Sequence, residues 1–481
     1  DAFDLSTNPD ASITIYLDFT GADLSETNWS EGENGANSLP AYSLDNDFTT
    51  FSEEERNSII EIWMRVSADY APWDVNITTK EPSEDQLTRT SLSDSTYGTT
   101  ALITSNTPST LIPGAGGVAY VGVFDNIYQG TFYNLDAYKP ALVFADRVGS
   151  AKGVAETASH EIGHNLGLSH DGTGSLDYYT GFGDNPGWAP IMGVGFYKNR
   201  TTFGRASDYP DGNQNENDFL LISQEGLTYW DASTEEDNSF SGATQLNFNT
   251  ESSGFSSAYF TSSIDLTSSD GDSSFPDVDF YQFSAQANNA VDISVSNALL
   301  SSIGSENNVD KLTNWEGNLL PVISIYDENQ SLISHHRTTS SVNSFSYTPD
   351  ASGTYYLSIR ADDDPEDGSP IWGNLGGYEL QVTREGGAGN DDTTLTAIEE
   401  IGNLYLLQNS DGDLFVSTAT GDPIAINNSA GTPWPYNLYD NIYLAGGAET
   451  INGKDYFVYV NMIGIIILLN LKSQFQIIRI K

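Results

Sequence analysis

The chain has 481 residues, 67 acids against 18 bases, a formal charge of −49 and no cysteine. That length predicts about three domains. The charge excludes nucleic acid and anionic membrane as partners, because both require a basic face, and the missing cysteine excludes disulfides, thiolate zinc sites and a cysteine nucleophile. The acidity suits surroundings rich in salt or calcium, where counter-ions screen the self-repulsion. Aromatic residues make up 12% of the chain, which argues against disorder. Position 1 is Asp, not Met, so a mature or trimmed form is expected.

The first 235 residues alternate strand-like and helix-like patterns. Ile13, Ile15, Leu17 and Phe19 alternate as on a strand with one buried face. From Ser52 a helix is predicted, opened by a capping box of Ser52 with Glu55. Ile59, Trp63, Val66 and Tyr70 repeat along it at helical spacing, and Pro72 ends it. Residues 74–79, 99–104, 117–124 and 141–146 read as further strands. Helices follow at about Ser150–Leu166 and near Asn215–Ser223. A polar stretch, 231–243, reads as a linker. From 241 to 384 short strands alternate with Ser, Asp and Gly turns, as in a β-sandwich. A second linker, Arg384–Asp392, contains a single glycine–aspartate stretch of the kind that binds calcium only in stacked copies. Residues 393–481 are β-like, with a hairpin turn at Asp411–Gly412. After Asp455 no acid appears, whereas Lys472, Arg479 and Lys481 do, so an atypical or frameshifted end is expected there. The run Met462–Leu471 is too short to cross a bilayer, which takes about 20 residues.

Three of the five histidines fall inside the stretch ASHEIGHNLGLSHDG, Ala158–Gly172. On a helical wheel His164 lies about 40° from His160 and roughly 6 Å along, so both rings face one point. Glu161 flanks that point at about 100°. Ala155, Ala158, Ile162 and Leu166 occupy the opposite, apolar side. Gly167 accepts the left-handed conformation that stops a helix and turns the chain. His170 then returns on a predicted strand, towards the same point from another direction. Three neutral imidazoles with water complete an open zinc site. Glu161 is suited to take the water proton and pass it to the leaving amine.

These residues resemble the metzincin zinc peptidases, and the wording HNLGLSHD is most similar to the reprolysin/adamalysin branch. The resemblance spans about residues 10–225. It implies an α+β metzincin-like catalytic domain, with a mixed sheet and an active-site helix. Met192 in APIMGVGFY would lie beneath the metal, and Asp171 would support the helix and the third histidine. Where some metzincins carry a metal-adjacent tyrosine this chain has Val194, and Tyr197 would instead line a floor or specificity pocket. The family's edge strand falls on Val118, Ala119 and Tyr120, which would pair with extended substrate. The second segment, with DVDFYQF, GTYYLSI and YELQV, is similar to the bacterial pre-peptidase C-terminal domain.

The resulting division is a catalytic domain over 1–235, an all-β sandwich over 241–384 and a C-terminal β-rich segment over 393–481. Zinc is the expected cofactor. Calcium is a further one, on Asp270, Asp272, Asp277, Asp279 and Asp362–Asp364, which offer hard oxygen ligands. The pair His335–His336 reads as exposed loop. The expected protein is a secreted, extracellular bacterial zinc endopeptidase acting on protein or peptide substrates. Its oligomeric state is left open by the sequence. Two other readings stay open: a surface or matrix binding protein with a structural or inactive zinc site, and a zinc hydrolase of non-protein amides.

Overall fold

The computed structural model describes residues 1–385 apart from 31–35, 106–111, 128–134, 183–186, 206–208, 210, 214, 230–236, 251–254, 266–276, 298–317, 338–341 and 363–373, and beyond 385 the backbone of strands between Thr396 and Ile480. Strands β1 (Ile13–Asp18), β2 (Asn76–Thr78), β3 (Tyr97–Thr104), β4 (Gly117–Val118) and β5 (Ala141–Phe144) form one sheet in the order β2-β1-β3-β5-β4. The first four of that order run parallel, and β4 closes the edge antiparallel to β5. Every residue of β1 is buried, Thr14 and Tyr16 included. The alternation in its sequence therefore does not mark a wet face. A parallel sheet is covered on both sides, here partly by helices.

Helix α1 (Glu53–Asp69) opens with the predicted reciprocal cap: Ser52 Oγ accepts from Glu55 N, and Glu55 Oε2 accepts from Ser52 N. Its buried stripe, Ile59, Trp63 and Val66 with Tyr70 just beyond, packs into the core shared with the sheet and with α2 (Ala151–Asn165). Ser150 Oγ caps α2 by accepting from Gly153 N, and α3 (Asp218–Gln224) starts at Asn217, whose Oδ1 accepts from Leu220 N.

The predicted strand 117–124 shortens to two residues. Its later amides are used elsewhere: Gly122 N donates to the His164 carbonyl, and Val123 N and Phe124 N donate to the Asn165 carbonyl. The Asn165 carbonyl is one that the end of α2 leaves without a helical donor, and the His164 carbonyl takes Gly122 N beside the helix's own closing bond from Gly167 N; capping them competes with extending the ladder.

Beyond residue 240 lie two five-stranded sheets. One runs, in spatial order, Thr244–Gln245, Val278–Ala285, Gly353–Ala361, Pro321–Tyr326 and Leu332–His336; the other runs Asn249–Thr250, Phe255–Ile264, Gly376–Glu385, Val291–Asn297 and Asn343–Tyr347. Tyr281 of the first and Tyr378 of the second meet through their hydroxyls at 2.5 Å, and Phe260 sets its ring edge-on to Tyr281. His335 and His336 sit on a strand, not in a loop: they pair with Ser324 and Ile323 in the antiparallel ladder, and the His336 ring stacks on Phe345 with centroids 3.5 Å apart. The C-terminal stretch contains two four-stranded sheets, Thr396–Ile401 to Ile424–Ala425 and Tyr443–Ile451 to Ile478–Ile480. The Asp411–Gly412 turn, the stretch 386–392 and Lys472 lie outside the described residues.

Candidate metal centre

Helix α2 builds most of the site. Ala155, Ala158, Ile162 and Leu166 are at most 1% exposed, so the predicted apolar side faces the core. The opposite side presents His160 and His164. Gly167 adopts φ +87°, Leu168 N donates to the Gly163 carbonyl and Gly167 N to that of His164. This paired closure is a Schellman turn, and its left-handed residue favours glycine. It sends the chain back so that His170 faces the helix. The returning segment has no ladder partner and is not a strand. It is held instead by Asp171 N donating to the Met192 carbonyl at 2.8 Å.

The side-chain nitrogens of His160, His164 and His170 converge to within 4.8 Å of one another. His164 Nε2 and His170 Nε2 stand 3.1 Å apart. Tetrahedral zinc with bonds of ~2.0–2.1 Å separates its ligand nitrogens by roughly 3.3 Å, so the spacing fits such an ion. The tautomers agree. His160 Nδ1 donates to the Ile191 carbonyl at 2.9 Å and His164 Nδ1 to the Leu168 carbonyl at 2.7 Å, which leaves each Nε2 as a lone pair. Burial pushes the His160 imidazole down to about 3, helped by the proximity of His164, and lowers His164 and His170 as well. All three are therefore neutral, as metal ligands must be. Among the described residues this is the one group of histidine, aspartate or glutamate side chains that converges in this way.

Glu161 lies beside the triad, 6% exposed, and burial raises its carboxyl to about 8. Its nearest wall is β4: a Cβ added at Gly117 would come within 2.7 Å of Glu161 Oε1. Only glycine lets the edge strand pass this close. Val118 packs on a small cluster with Leu142 and Phe144. Ala119 lies just past the strand, and the Tyr120 ring is tilted against Trp29 with centroids 4.6 Å apart while its carbonyl accepts from Asn165 Nδ2.

Met192 is fully buried against α2, where its sulfur would lie 2.5 Å from a Cβ added at Gly163. The neighbouring carbonyls hold the site from both sides, Ile191 through His160 and Met192 through Asp171. Asp171 Oδ1 in turn accepts from the Tyr209 hydroxyl at 2.7 Å. Tyr197 stands 89% exposed, away from any floor. The tyrosine brought to the triad is Tyr178: its hydroxyl is 3.3 Å from His170 Nε2 and its ring lies 4.3 Å from that of His170. Nothing in the spacing of LDYYTGF marks it, because the turn that delivers it is laced by Tyr179 N to the Asp171 carbonyl and Val194 N to the Tyr179 carbonyl. Of the acids expected to offer calcium ligands, Asp277 and Asp279 are buried together and Asp362 pairs with Arg337 at 2.8 Å. Asp270, Asp272, Asp363 and Asp364 lie outside the described residues.

Residues 64–171 match the metallo-peptidase family M12B, reprolysin-like. No curated protein matches the chain. Among solved structures, the pre-peptidase C-terminal domain of collagenase from Bacillus anthracis is 17% identical, covering 26% of this chain and 87% of that one at a TM-score of 0.17. The periplasmic g-type lysozyme inhibitor PliG of Aeromonas hydrophila is 15% identical, covering 30% and 96% at 0.18. The lipase BlEst2 of Bacillus licheniformis in propeptide form is 10% identical, covering 97% and 99% at 0.16. Residues 64–171 are thus similar to the reprolysin-like metallo-peptidase family M12B, and the matched stretch contains the three histidines that could hold a metal ion.

Proposed function

We propose that the protein is a zinc-dependent endopeptidase that works outside the cell. The observation that carries this reading is the convergence of the His160, His164 and His170 ring nitrogens to within 4.8 Å, with Nε2 of His164 and His170 3.1 Å apart, beside a buried carboxyl. His160, His164 and His170 would hold zinc. Zinc bound there supplies a Lewis acid for the scissile carbonyl and acidifies a water molecule to a pKa of about 7. Beside a cation held by the triad, which opposes the burial that raises its carboxyl, Glu161 favours its ionised form and would then receive the proton of the attacking water and return it to the leaving amine. β4, at the edge of the sheet and against Glu161, aligns an extended substrate backbone by strand addition. Tyr178, at the rim of the triad, places a hydroxyl where the carbonyl oxygen develops charge. Met192 and Asp171 keep the helix and the returning segment in register. The region beyond residue 240 fits a β-sandwich, and Asp277 with Asp279 is its proposed calcium position.

The test is casein hydrolysis by the purified chain with and without 1,10-phenanthroline, with products read by mass spectrometry. Internal peptide-bond products that vanish on chelation and return with zinc support the reading. Cleavage that survives chelation refutes it. Glu161→Ala is expected to keep its zinc and lose cleavage. Detection of the chain in the medium of producing cells tests secretion.

A further inference from the structure

Strand β4 lies in a glycine-rich run, Gly114-Ala115-Gly116-Gly117, and meets β5 over only two residue pairs, Gly117 with Val143 and Val118 with Leu142. Glycine has no side chain to pack in a strand and loses the most freedom when it is ordered. So short a ladder does not fix such a segment by itself. The Gly116 carbonyl accepts from Phe144 N at 2.8 Å, so the backbone polar groups of Gly116 face β5. By the alternation of an antiparallel pair those of Gly117 face the other way, where β4 is the last strand of the sheet among the described residues.

The turn after β5 pins the run instead. Arg147, in the one-turn helix Ala145–Val148, donates from Nη1 to two carbonyls, that of Ile112 at 2.8 Å and that of Ala115 at 2.9 Å. Its guanidinium carbon lies 4.6 Å from the centre of the Phe144 ring, a contact that steadies the planar fork. Ile112 has φ +41°, a left-handed backbone that a branched residue adopts only under constraint, and one of the Arg147 bonds falls on its carbonyl. Val148 closes the run from below: a Cβ added at Gly116 would come within 2.6 Å of Val148 Cγ1. Ala115 stands two residues before Gly117, so a shift at its carbonyl is passed to the Gly117 backbone within one pleat.

We propose that Arg147 is a positioning residue for substrate: through the Ile112 and Ala115 carbonyls it holds the Gly117 N–H and C=O in the place and direction that an extended peptide backbone needs for pairing. This assignment rests on the peptidase reading and on strand addition at β4. His160 and His164 are anchored on the Ile191 and Leu168 carbonyls, in other segments, so loosening the glycine run weakens the hold on substrate and not the hold on metal.

The test uses the full chain and a peptide built on a bond that it cleaves in casein, with two analogues N-methylated at the second and at the third residue before that bond. Successive amides of a strand face opposite edges, so one methyl blocks pairing and the other does not. The native chain is expected to show a KM about tenfold higher for one analogue than for the other, the discrimination one hydrogen bond supplies. Arg147→Met keeps an apolar stem on Phe144 and removes the donors. Its KM for the unmethylated peptide should rise about tenfold, with kcat and zinc content held within about twofold, and the two analogues should become equal. Arg147→Lys keeps the charge but not the fork that spans both carbonyls, so its KM should rise about threefold, and it carries the test if Arg147→Met does not fold by circular dichroism. Native KM in a folded variant overturns the proposal. So does a raised KM with the difference between the analogues intact, which is what a merely structural role gives, or a native chain that treats both analogues alike. A native chain that cleaves no casein brings down the peptidase reading and this assignment with it, which sets that failure apart from the others.

Discussion

Gly163→Ala probes whether Met192 sets the metal helix. Two opposed effects are readable. Alanine in place of glycine inside a helix favours folding by about 1 kcal/mol. The added Cβ, however, would stand 2.5 Å from Met192 Sδ and 3.3 Å from Leu168 Cδ1, so the sulfur must retreat by about 1 Å into a core where Met192 is fully buried. Overpacking of that kind costs about 1–3 kcal/mol. The net change in stability is therefore small, between none and about 2 kcal/mol of destabilisation. The consequence for the metal is larger. The loop that must move carries the Ile191 carbonyl on His160 and the Met192 carbonyl on the Asp171 amide. Loss of such supporting contacts lowers metal affinity about 10–100-fold. Zinc affinity by competition with a fluorescent chelator, and thermal unfolding of the metal-free chain, separate the two effects. Met192→Ala makes room for the new methyl, so the double variant should bind zinc more tightly than the two single losses predict when added. Wild-type zinc affinity in Gly163→Ala, or strict additivity in the cycle, refutes the idea that sulfur and helix are packed as one unit.

Tyr178→Phe removes the hydroxyl beside His170 and leaves the ring contact; kcat on casein is expected to fall about 10²-fold with KM and zinc content unchanged. A KM effect alone would place Tyr178 in substrate binding and not at the developing charge. Asp69 is buried between Ser159 Oγ and Asn318 Nδ2, and burial, with the charge of Glu156, raises its carboxyl to about 8. The folded chain therefore holds a proton that the unfolded chain releases near 4, and stability falls as pH rises from about 4 to 8. Asp69→Asn, which can make both hydrogen bonds without ionising, should flatten the fall of Tm between pH 5 and 8; parallel profiles would disprove this assignment. Ser150→Ala should cost about 1 kcal/mol through the lost cap on Gly153 N, a shift of roughly 2–4 °C in Tm by calorimetry, and no shift would mean that the cap is replaced by water.

Helices α1 and α2 were legible because both are governed by local chemistry. The Ser52–Glu55 reciprocal cap, the apolar stripes and the glycine at φ +87° all act within a few residues of chain. The convergence of the histidines followed from the same local rules. What escaped depends on partners distant in sequence. The run Gly117–Phe124 has the alternation of a strand, yet its amides cap the end of α2, more than forty residues on. Tyr178 reaches the triad through a turn pinned to Asp171 and Val194, while Tyr197, nearer to Met192 in sequence, points to solvent. Asp69 meets Asn318 across 249 residues, a contact that no periodicity signals.

The acidity of the chain sets a problem that the site geometry answers. A net charge of −49 favours protonated imidazole, and a protonated ring cannot hold a metal. Asp177 does act upward on His170 and Glu216 on His164. In both rings burial outweighs the neighbouring acid, and the shift is downward. The anchors of His160 and His164 are carbonyl oxygens, Ile191 and Leu168, and not carboxylates. A carboxylate there would fix the same tautomer but add a full negative charge that stabilises the protonated ring. A carbonyl fixes orientation with only a dipole. Replacing neutral anchors by acids would therefore raise the pH needed for metal binding, and the present arrangement lets a strongly acidic surface coexist with three neutral ligands.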